Sequence, residues 1–409
     1  MRKKAFWLLA GVIVCGTLTA AAASPEKEKK AKVAPGIEVL MNKKGMLKGK
    51  KAGLITNPTG VDSRLNSSID LLHQDPDIEL TALFGPEHGV RGDAQAGDKV
   101  ESYIDEKTGL PVYSLYGDTR KPTPEMLKNI DVLLFDIHDV GTRFYTYIYT
   151  MAYAMEAAKE NDIPFIVLDR PNPQGGIKVE GPVLDPNYSS FVGRYPIPLI
   201  HGMTAGELAK LFNQEFNIGA DLTVVKMKGW KRRMSFEDTG LPFVLPSPNM
   251  PTVDTSAVYP GTGLIEGTNI SEGRGTTKPF ELIGAPFIKS TDLAEKLNSL
   301  KLSGIRFRAA SFTPTFSKHQ NKLCHGVELY VTNRSAFQPV KTGISIIKTI
   351  HDLYPEDFQF LSSNNFNRLI GNGWVKTMIE EGASVEEIVK KYEAEQKRFM
   401  DIREKYLLY

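Results

Sequence analysis

From residue 51 onward, short apolar runs alternate with amphipathic stretches. The apolar runs predict strands over 51–56, 78–84, 131–137, 164–169 and 222–227, and the amphipathic stretches predict helices over 67–73, 124–129, 145–161 and 204–216. Strands and helices that alternate in this way build a parallel sheet with helices on both faces. Val132-Leu133-Leu134-Phe135 and Phe165-Ile166-Val167-Leu168 have no polar alternation, which marks strands covered on both sides. The expected fold class is therefore α/β, a Rossmann-like, mostly parallel sheet flanked by helices. The rhythm breaks over 245–275, a stretch rich in Pro, Gly, Ser, Thr and Asn that reads as a functional loop, a domain junction, or both. Beyond it, a helix over 291–300, strands over 306–309 and 327–332, and helices over 340–353 and 385–406 predict a smaller α+β domain. The expected domains are 36–265, Rossmann-like and catalytic, and 266–409, an auxiliary α+β domain.

The amino terminus has a different pattern. Arg2, Lys3 and Lys4 precede an apolar run from Phe6 to Leu18, and Ala21-Ala22-Ala23 supplies the small residues a signal peptidase needs. The run is shorter than the ~20 residues of a bilayer span, so it reads as a signal peptide over 1–23 rather than a stable membrane anchor. Val14 before Cys15 argues against a lipid-attachment site, and the charged stretch over 24–35 reads as a linker. These features predict a secreted protein, extracellular or associated with the cell wall. Cleavage before Ser24 removes three cations and no acids, which takes the formal charge from +2 to about −1. A nearly neutral chain gives no global field for a nucleic-acid partner. Cys324 is then left without an intramolecular disulfide partner.

In a parallel sheet, polar residues just past the carboxyl ends of strands face the crevice where ligands bind. Three such ends carry acids and arginines together: Glu87, His88 and Arg91 after the 78–84 run; Asp136, His138, Asp139 and Arg143 after the next; Asp169, Arg170 and Asn172 after the third. The 245–275 stretch adds Asn249, Glu266, Asn269, Glu272 and Arg274. Glycosidic bonds are broken by an acid that protonates the leaving oxygen, with a second group, usually a carboxylate, on the other face, and a crevice with several acids supplies both. Arg91, Arg143, Arg170 and Arg274 suit a substrate that carries a carboxylate, because a guanidinium grips one bidentately. Two other classes stay open at this point: a metal-dependent hydrolase using Glu87, His88, Asp136, His138 and Asp139, and a non-catalytic wall-binding module. No His-Glu-x-x-His, Gly-x-Ser-x-Gly or well-placed Gly-x-Gly-x-x-Gly is present, so neither a metal nor a nucleotide cofactor is expected.

The blocks Gly85-Pro86-Glu87-His88-Gly89-Val90-Arg91-Gly92, Asp139-Val140-Gly141-Thr142-Arg143-Phe144-Tyr145, Leu168-Asp169-Arg170-Pro171-Asn172-Pro173 and Glu266-Gly267-Thr268-Asn269-Ile270-Ser271-Glu272-Gly273-Arg274-Gly275 occur in this order. Together they resemble the secreted exo-β-N-acetylmuramidases of glycoside hydrolase family 171, and among these the Bacillus enzymes most. The resemblance spans the chain beyond the signal peptide. It implies a cleft between the two domains, release of N-acetylmuramic acid from the non-reducing end of peptidoglycan fragments, and action beside an amidase and an N-acetylglucosaminidase in wall turnover and recycling. It also implies Glu87 as the catalytic acid and His88 as its orienting neighbour. Asp136, Asp139 or Asp169 would serve as base or charge stabiliser, unless the substrate's own acetamido group takes that part. The residues implied in substrate binding are Arg91, Arg143, Arg170, Asn172, Asn249, Glu266, Asn269, Glu272 and Arg274, with the arginines suited to the lactyl carboxylate of muramic acid.

Overall fold

The computed structural model describes residues 32–92, 101–363 and 365–409. The expected signal peptide and most of the linker lie outside these residues. The strands are β1 (Lys51–Thr56), β2 (Glu79–Gly85), β3 (Tyr103–Ile104), β4 (Pro111–Ser114), β5 (Val132–Asp136), β6 (Phe165–Leu168), β7 (Glu180–Val183), β8 (Pro198–Ile200), β9 (Leu222–Val225), β10 (Leu282–Ala285), β11 (Ile305–Phe312) and β12 (Cys324–Val331).

A 7-stranded sheet with the order β3-β4-β2-β1-β5-β6-β9 forms the centre. Its neighbours pair in parallel, except for β3 with β4. β5 and β6 are buried along their whole length, as their unbroken apolar runs require. One helix layer includes Tyr147–Glu160 and Ala205–Glu215. The latter opens with a capping box in which Thr204 and Glu207 satisfy each other's backbone N–H groups. The other layer contains Gly36–Met41 and Ser68–His73, which cover Leu54, Leu134 and Ile166.

The C-terminal part carries a 3-stranded antiparallel sheet, β10-β12-β11, packed against the helix Ser290–Ser299, which in turn packs on the helix Pro339–Leu353. The two parts share one continuous hydrophobic core. At their junction the 245–275 stretch departs from its expected loop character: Val253–Thr262 is a helix, followed by a 3-10 turn at Gly263–Gly267. Thr252 caps it by accepting the Thr255 N–H, and Thr255 to Thr262 are all buried. A helix buried on all sides has no polar stripe for a periodicity reading to find. Gly261 and Gly343 let this helix and Pro339–Leu353 touch backbone to backbone, since a Cβ on Gly261 would lie 1.9 Å from the Pro339 carbonyl oxygen. The short strands β3, β4, β7, β8 and β10 also went unread, because two to four residues leave no period to detect.

Candidate active site

The chain builds β1, then β2 and β4 on one side of it, and crosses to place β5, β6 and β9 on the other. The order therefore reverses between β1 and β5, and the crevice at the carboxyl ends of strands flanking such a reversal is where open α/β sheets bind ligands. Asn57 follows β1, Glu87 follows β2, Asp139 lies just past β5, and Asp169 follows β6.

Glu87 sits in a tight turn. The Gly89 N–H donates to the Pro86 carbonyl at 2.9 Å, and His88 and Gly89 are both left-handed, with φ of 74° and 75°. A histidine in that region costs energy, and such strain concentrates at functional sites. His88 is buried, while Glu87 stays partly accessible. The Thr146 hydroxyl donates to Glu87 Oε2 at 2.9 Å. Thr146 is the N-cap residue of Tyr147–Glu160, yet its side chain makes no cap hydrogen bond and is free to hold this carboxylate.

Asp139 accepts the Gly141 N–H at 2.6 Å through Oδ2, whereas Oδ1 is shielded from solvent and has no partner. Burial pushes its pKa up to about 7. Glu87 and Asp139 both act electrostatically on Tyr145, Tyr147 and Tyr259. Burial first, and then neighbouring negative charge, raises these phenols above their ordinary range and keeps them protonated donors. The Tyr145 hydroxyl and Asn57 Nδ2 are buried beside the Tyr147 hydroxyl, on which both act as hydrogen-bonding neighbours. Tyr145 packs edge-on against Tyr147 at 4.9 Å and Tyr259 at 5.8 Å, and Tyr259 against Phe280 at 4.7 Å.

The Arg274 guanidinium lies 5.1 Å from the Phe280 ring centre and pairs with Glu266 at 2.8 Å and Glu272 at 3.5 Å. Lys318 adds a second cation 2.8 Å from Glu272. Burial raises the Glu266 pKa against the pull of Arg274, and Arg274 also acts on Tyr259. The structure thus brings Glu87 and Asp139 together with Glu266, Glu272 and Arg274 around one aromatic cluster.

The other acids expected in catalysis have different work. Asp136 is fully buried and receives Arg170 bidentately, Nε at 2.5 Å and Nη2 at 2.8 Å, together with the Ser68 hydroxyl. Asp169, also fully buried, accepts the Thr204 and Tyr409 hydroxyls at 2.7 Å each and the Gly206 N–H at 2.8 Å. Burial pushes its pKa up to about 6, against those hydrogen bonds. With their acceptor sites filled, both aspartates brace the ends of β5 and β6.

Most of the residues expected to bind substrate are committed in the same way. Arg143 has no exposed surface: it donates to the carbonyls of Pro182, Ile197 and Leu369 at 2.8, 3.0 and 2.9 Å and ties the two parts of the fold together. Desolvation lowers its pKa to about 10. Arg91 is held bidentately by Asp105 at 2.9 Å for each bond. Arg170 is the Asp136 partner. Asn172 bridges the Met203 carbonyl and the Gln174 N–H, and Asn269 bridges the Asp357 carbonyl and the Gln359 N–H. Asn249 is buried on the segment before the junction helix. His138 stacks on Phe236 at 5.1 Å and is pushed down to about 3, by burial and then by Arg170. Among the described residues no group of three or more His, Cys, Asp or Glu side chains converges as a metal site. The sequence reading missed Asn57, Thr146, Tyr147, Tyr259, Phe280 and Lys318. Only the density of aromatics over Phe144 to Tyr149 hinted at them, and that density reads equally well as a helix face.

Comparison with known proteins decides the family. Two family models match in succession, exo-beta-N-acetylmuramidase NamZ, N-terminal, over residues 52–254, and exo-beta-N-acetylmuramidase NamZ, C-terminal, over residues 257–409. The chain belongs to the exo-beta-N-acetylmuramidase NamZ family. It is 71% identical over 414 residues to the peptidoglycan beta-N-acetylmuramidase NamZ of Bacillus subtilis, with 100% of both chains covered. Two crystal structures of DUF1343 family proteins from Bacteroides fragilis share the fold. One has a TM-score of 0.87 at 41% identity over 93% of this chain and 100% of its own, the other a TM-score of 0.76 at 35% identity over 92% and 99%. The two NamZ models meet within the junction helix Val253–Thr262, whose Tyr259 joins Glu87 to the Glu266–Arg274 pair.

Proposed function

We propose that this chain is an exo-acting glycoside hydrolase that releases N-acetylmuramic acid from the non-reducing end of peptidoglycan fragments. The full-length identity to a peptidoglycan beta-N-acetylmuramidase supports the substrate class. The reaction type rests on one observation: a partly accessible glutamate past β2, held by Thr146, and an aspartate past β5 with an unused acceptor oxygen act on the same tyrosine cluster, beside the reversal of strand order. Glu87 donates its proton to the glycosidic oxygen as the bond to the anomeric carbon breaks. Positive charge grows on the sugar ring, and Asp139 stabilises it. An acceptor is then needed for a proton of the attacking water, or for the N–H of the sugar's acetamido group if that group attacks first. Asp139 Oδ1 is suited to either. Protonated Tyr145 and Asn57 keep the wall beside these carboxylates rich in hydrogen-bond donors. Arg274 supplies the cationic group for the lactyl carboxylate, in exchange for part of its pairing with Glu266 and Glu272.

The amino-terminal pattern supports secretion, and among the described residues no helix is long and apolar enough to cross a membrane. We place the enzyme outside the cell, in wall turnover and recycling beside an amidase and an N-acetylglucosaminidase. Peptide mass mapping of protein from culture medium should show Ser24 as the first residue. The reaction is tested by chromatography of a muramic-acid–glucosamine disaccharide: wild type releases muramic acid, and release by Glu87→Gln at near the same rate overturns the assignment.

A further inference from the structure

A cavity of about 470 Å³, within the size range of small-molecule sites, lies between 173–180, 232–235 and 334–338, with Ala257 of the junction helix in its wall. It is separate from the Glu87 crevice. The Gln174 side chain forms part of the partition, since its Nε2 donates to the Val140 carbonyl at 3.2 Å and the Ser256 carbonyl at 2.5 Å, and Val140 directly follows Asp139. None of the acids or arginines described above lines this cavity.

Its charges are not balanced. Arg232 is paired with Glu207, and Arg334 with Glu237 and Asp254. Lys178 has only the carbonyls of Arg334 and Phe337 as hydrogen-bond partners, and Arg233 is exposed with no ion pair among the described residues. Neither Lys178 nor Arg233 therefore makes a close ion pair among the described residues, although Lys178 is attracted by Glu180 on the same wall and Arg233 by Asp238. On the same lining, Glu180 is buried, with Oε1 taken by the Lys341 N–H at 2.8 Å, a weaker backbone interaction with Val340, and Oε2 shielded and without a close donor. A buried acceptor without a partner is costly unless something donates to it. Ile177, 65% exposed, and Met234 and Phe337 add an apolar lining. A dianion such as phosphate would meet the Glu180 carboxyl unfavourably. A molecule with a carboxylate at one end, an ammonium at the other and a short apolar part between would match all three features.

We propose that this cavity is a second ligand site, which takes a zwitterionic molecule of the amino-acid or short-peptide class, its carboxylate on Arg233 and Lys178 and its ammonium on Glu180. Gln174 is then the side chain through which occupancy reaches the Asp139 loop.

Calorimetric titration of the full chain tests it, with alanyl-alanine, N-acetyl-alanyl-alanine and inorganic phosphate as probes. The expected result is saturable binding of alanyl-alanine, weakened about tenfold or more by N-acetylation, by Arg233→Ala and by Glu180→Gln, with phosphate weaker than the dipeptide. Arg233 is on the surface, so its variant keeps the fold, which an unchanged melting temperature checks. No saturable binding, equal binding of the acetylated dipeptide or of phosphate, or affinity undiminished in Arg233→Ala would each overturn the proposal. The titration involves no turnover, so its outcome is independent of the reaction at Glu87.

Discussion

Two sets of acids stand at the ends of neighbouring strands and behave in opposite ways. Past β5 and β6, Asp136 and Asp169 are fully buried, and their oxygens are filled by Arg170, Ser68, Thr204, Gly206 and Tyr409. Past β2 and in the loop after β5, Glu87 keeps an accessible side chain and Asp139 keeps an oxygen without a partner. In sequence the two sets look alike, each an acid just after an apolar run. The difference lies in accessibility for Glu87 and in an unfilled oxygen for Asp139. A fully buried carboxylate whose acceptor sites are all used is a brace that stiffens the crevice, whereas an accessible or unfilled one is available for chemistry.

The sharpest way to break this contrast is Glu87→Gln. Losing a general acid should cost about 10²- to 10⁴-fold in kcat while the urea unfolding midpoint stays in place. A folded variant with near-normal turnover would move the reaction elsewhere. Arg170→Met should do the reverse. Stranding Asp136 in the core should destabilise the fold by about 3–5 kcal/mol in urea unfolding, and a loss under about 1 kcal/mol would mean that the brace does not carry load. Arg143 and Arg274 extend the test to cations. Arg143→Met removes a donor from three buried carbonyls, of which that of Ile197 keeps another in the Leu184 N–H, and should cost about 2–3 kcal/mol of stability, with the muramic acid preference intact. Arg274→Ala should instead reduce that preference over N-acetylglucosamine about tenfold in binding titrations, and equal losses for both sugars would remove it from lactyl recognition.

The last test concerns pH. Asp139 in the folded chain keeps its proton up to about 7, while an unfolded aspartate releases it near 4. The folded state therefore binds more protons in that window. The contribution of Asp139 to stability is complete below about pH 4, declines as pH rises to about 7, and is level beyond. Comparing melting temperatures of wild type and Asp139→Asn from pH 4 to 8 should show a shallower decline in the variant. Parallel curves would mean that water reaches Oδ1.

Periodicity by itself determined the central elements. The runs at 51–56, 131–137 and 164–169 became β1, β5 and β6, because strands buried on both faces need unbroken apolar sequence and local pattern reports burial directly. Short blocks of residues likewise marked the turns that carry Glu87 and Asp139, since sharp turns at strand ends depend on glycines that can be read one by one. The saturation of each polar group was decided only by the tertiary structure. Arg143 meets Leu369 across 226 residues and Asp169 meets Tyr409 across 240, distances over which no local pattern carries information. The tyrosines around Glu87 were hidden for the same reason. A side chain in a site wall and one in a core have the same apolar signature until the chain folds and shows which polar atoms are left without a partner.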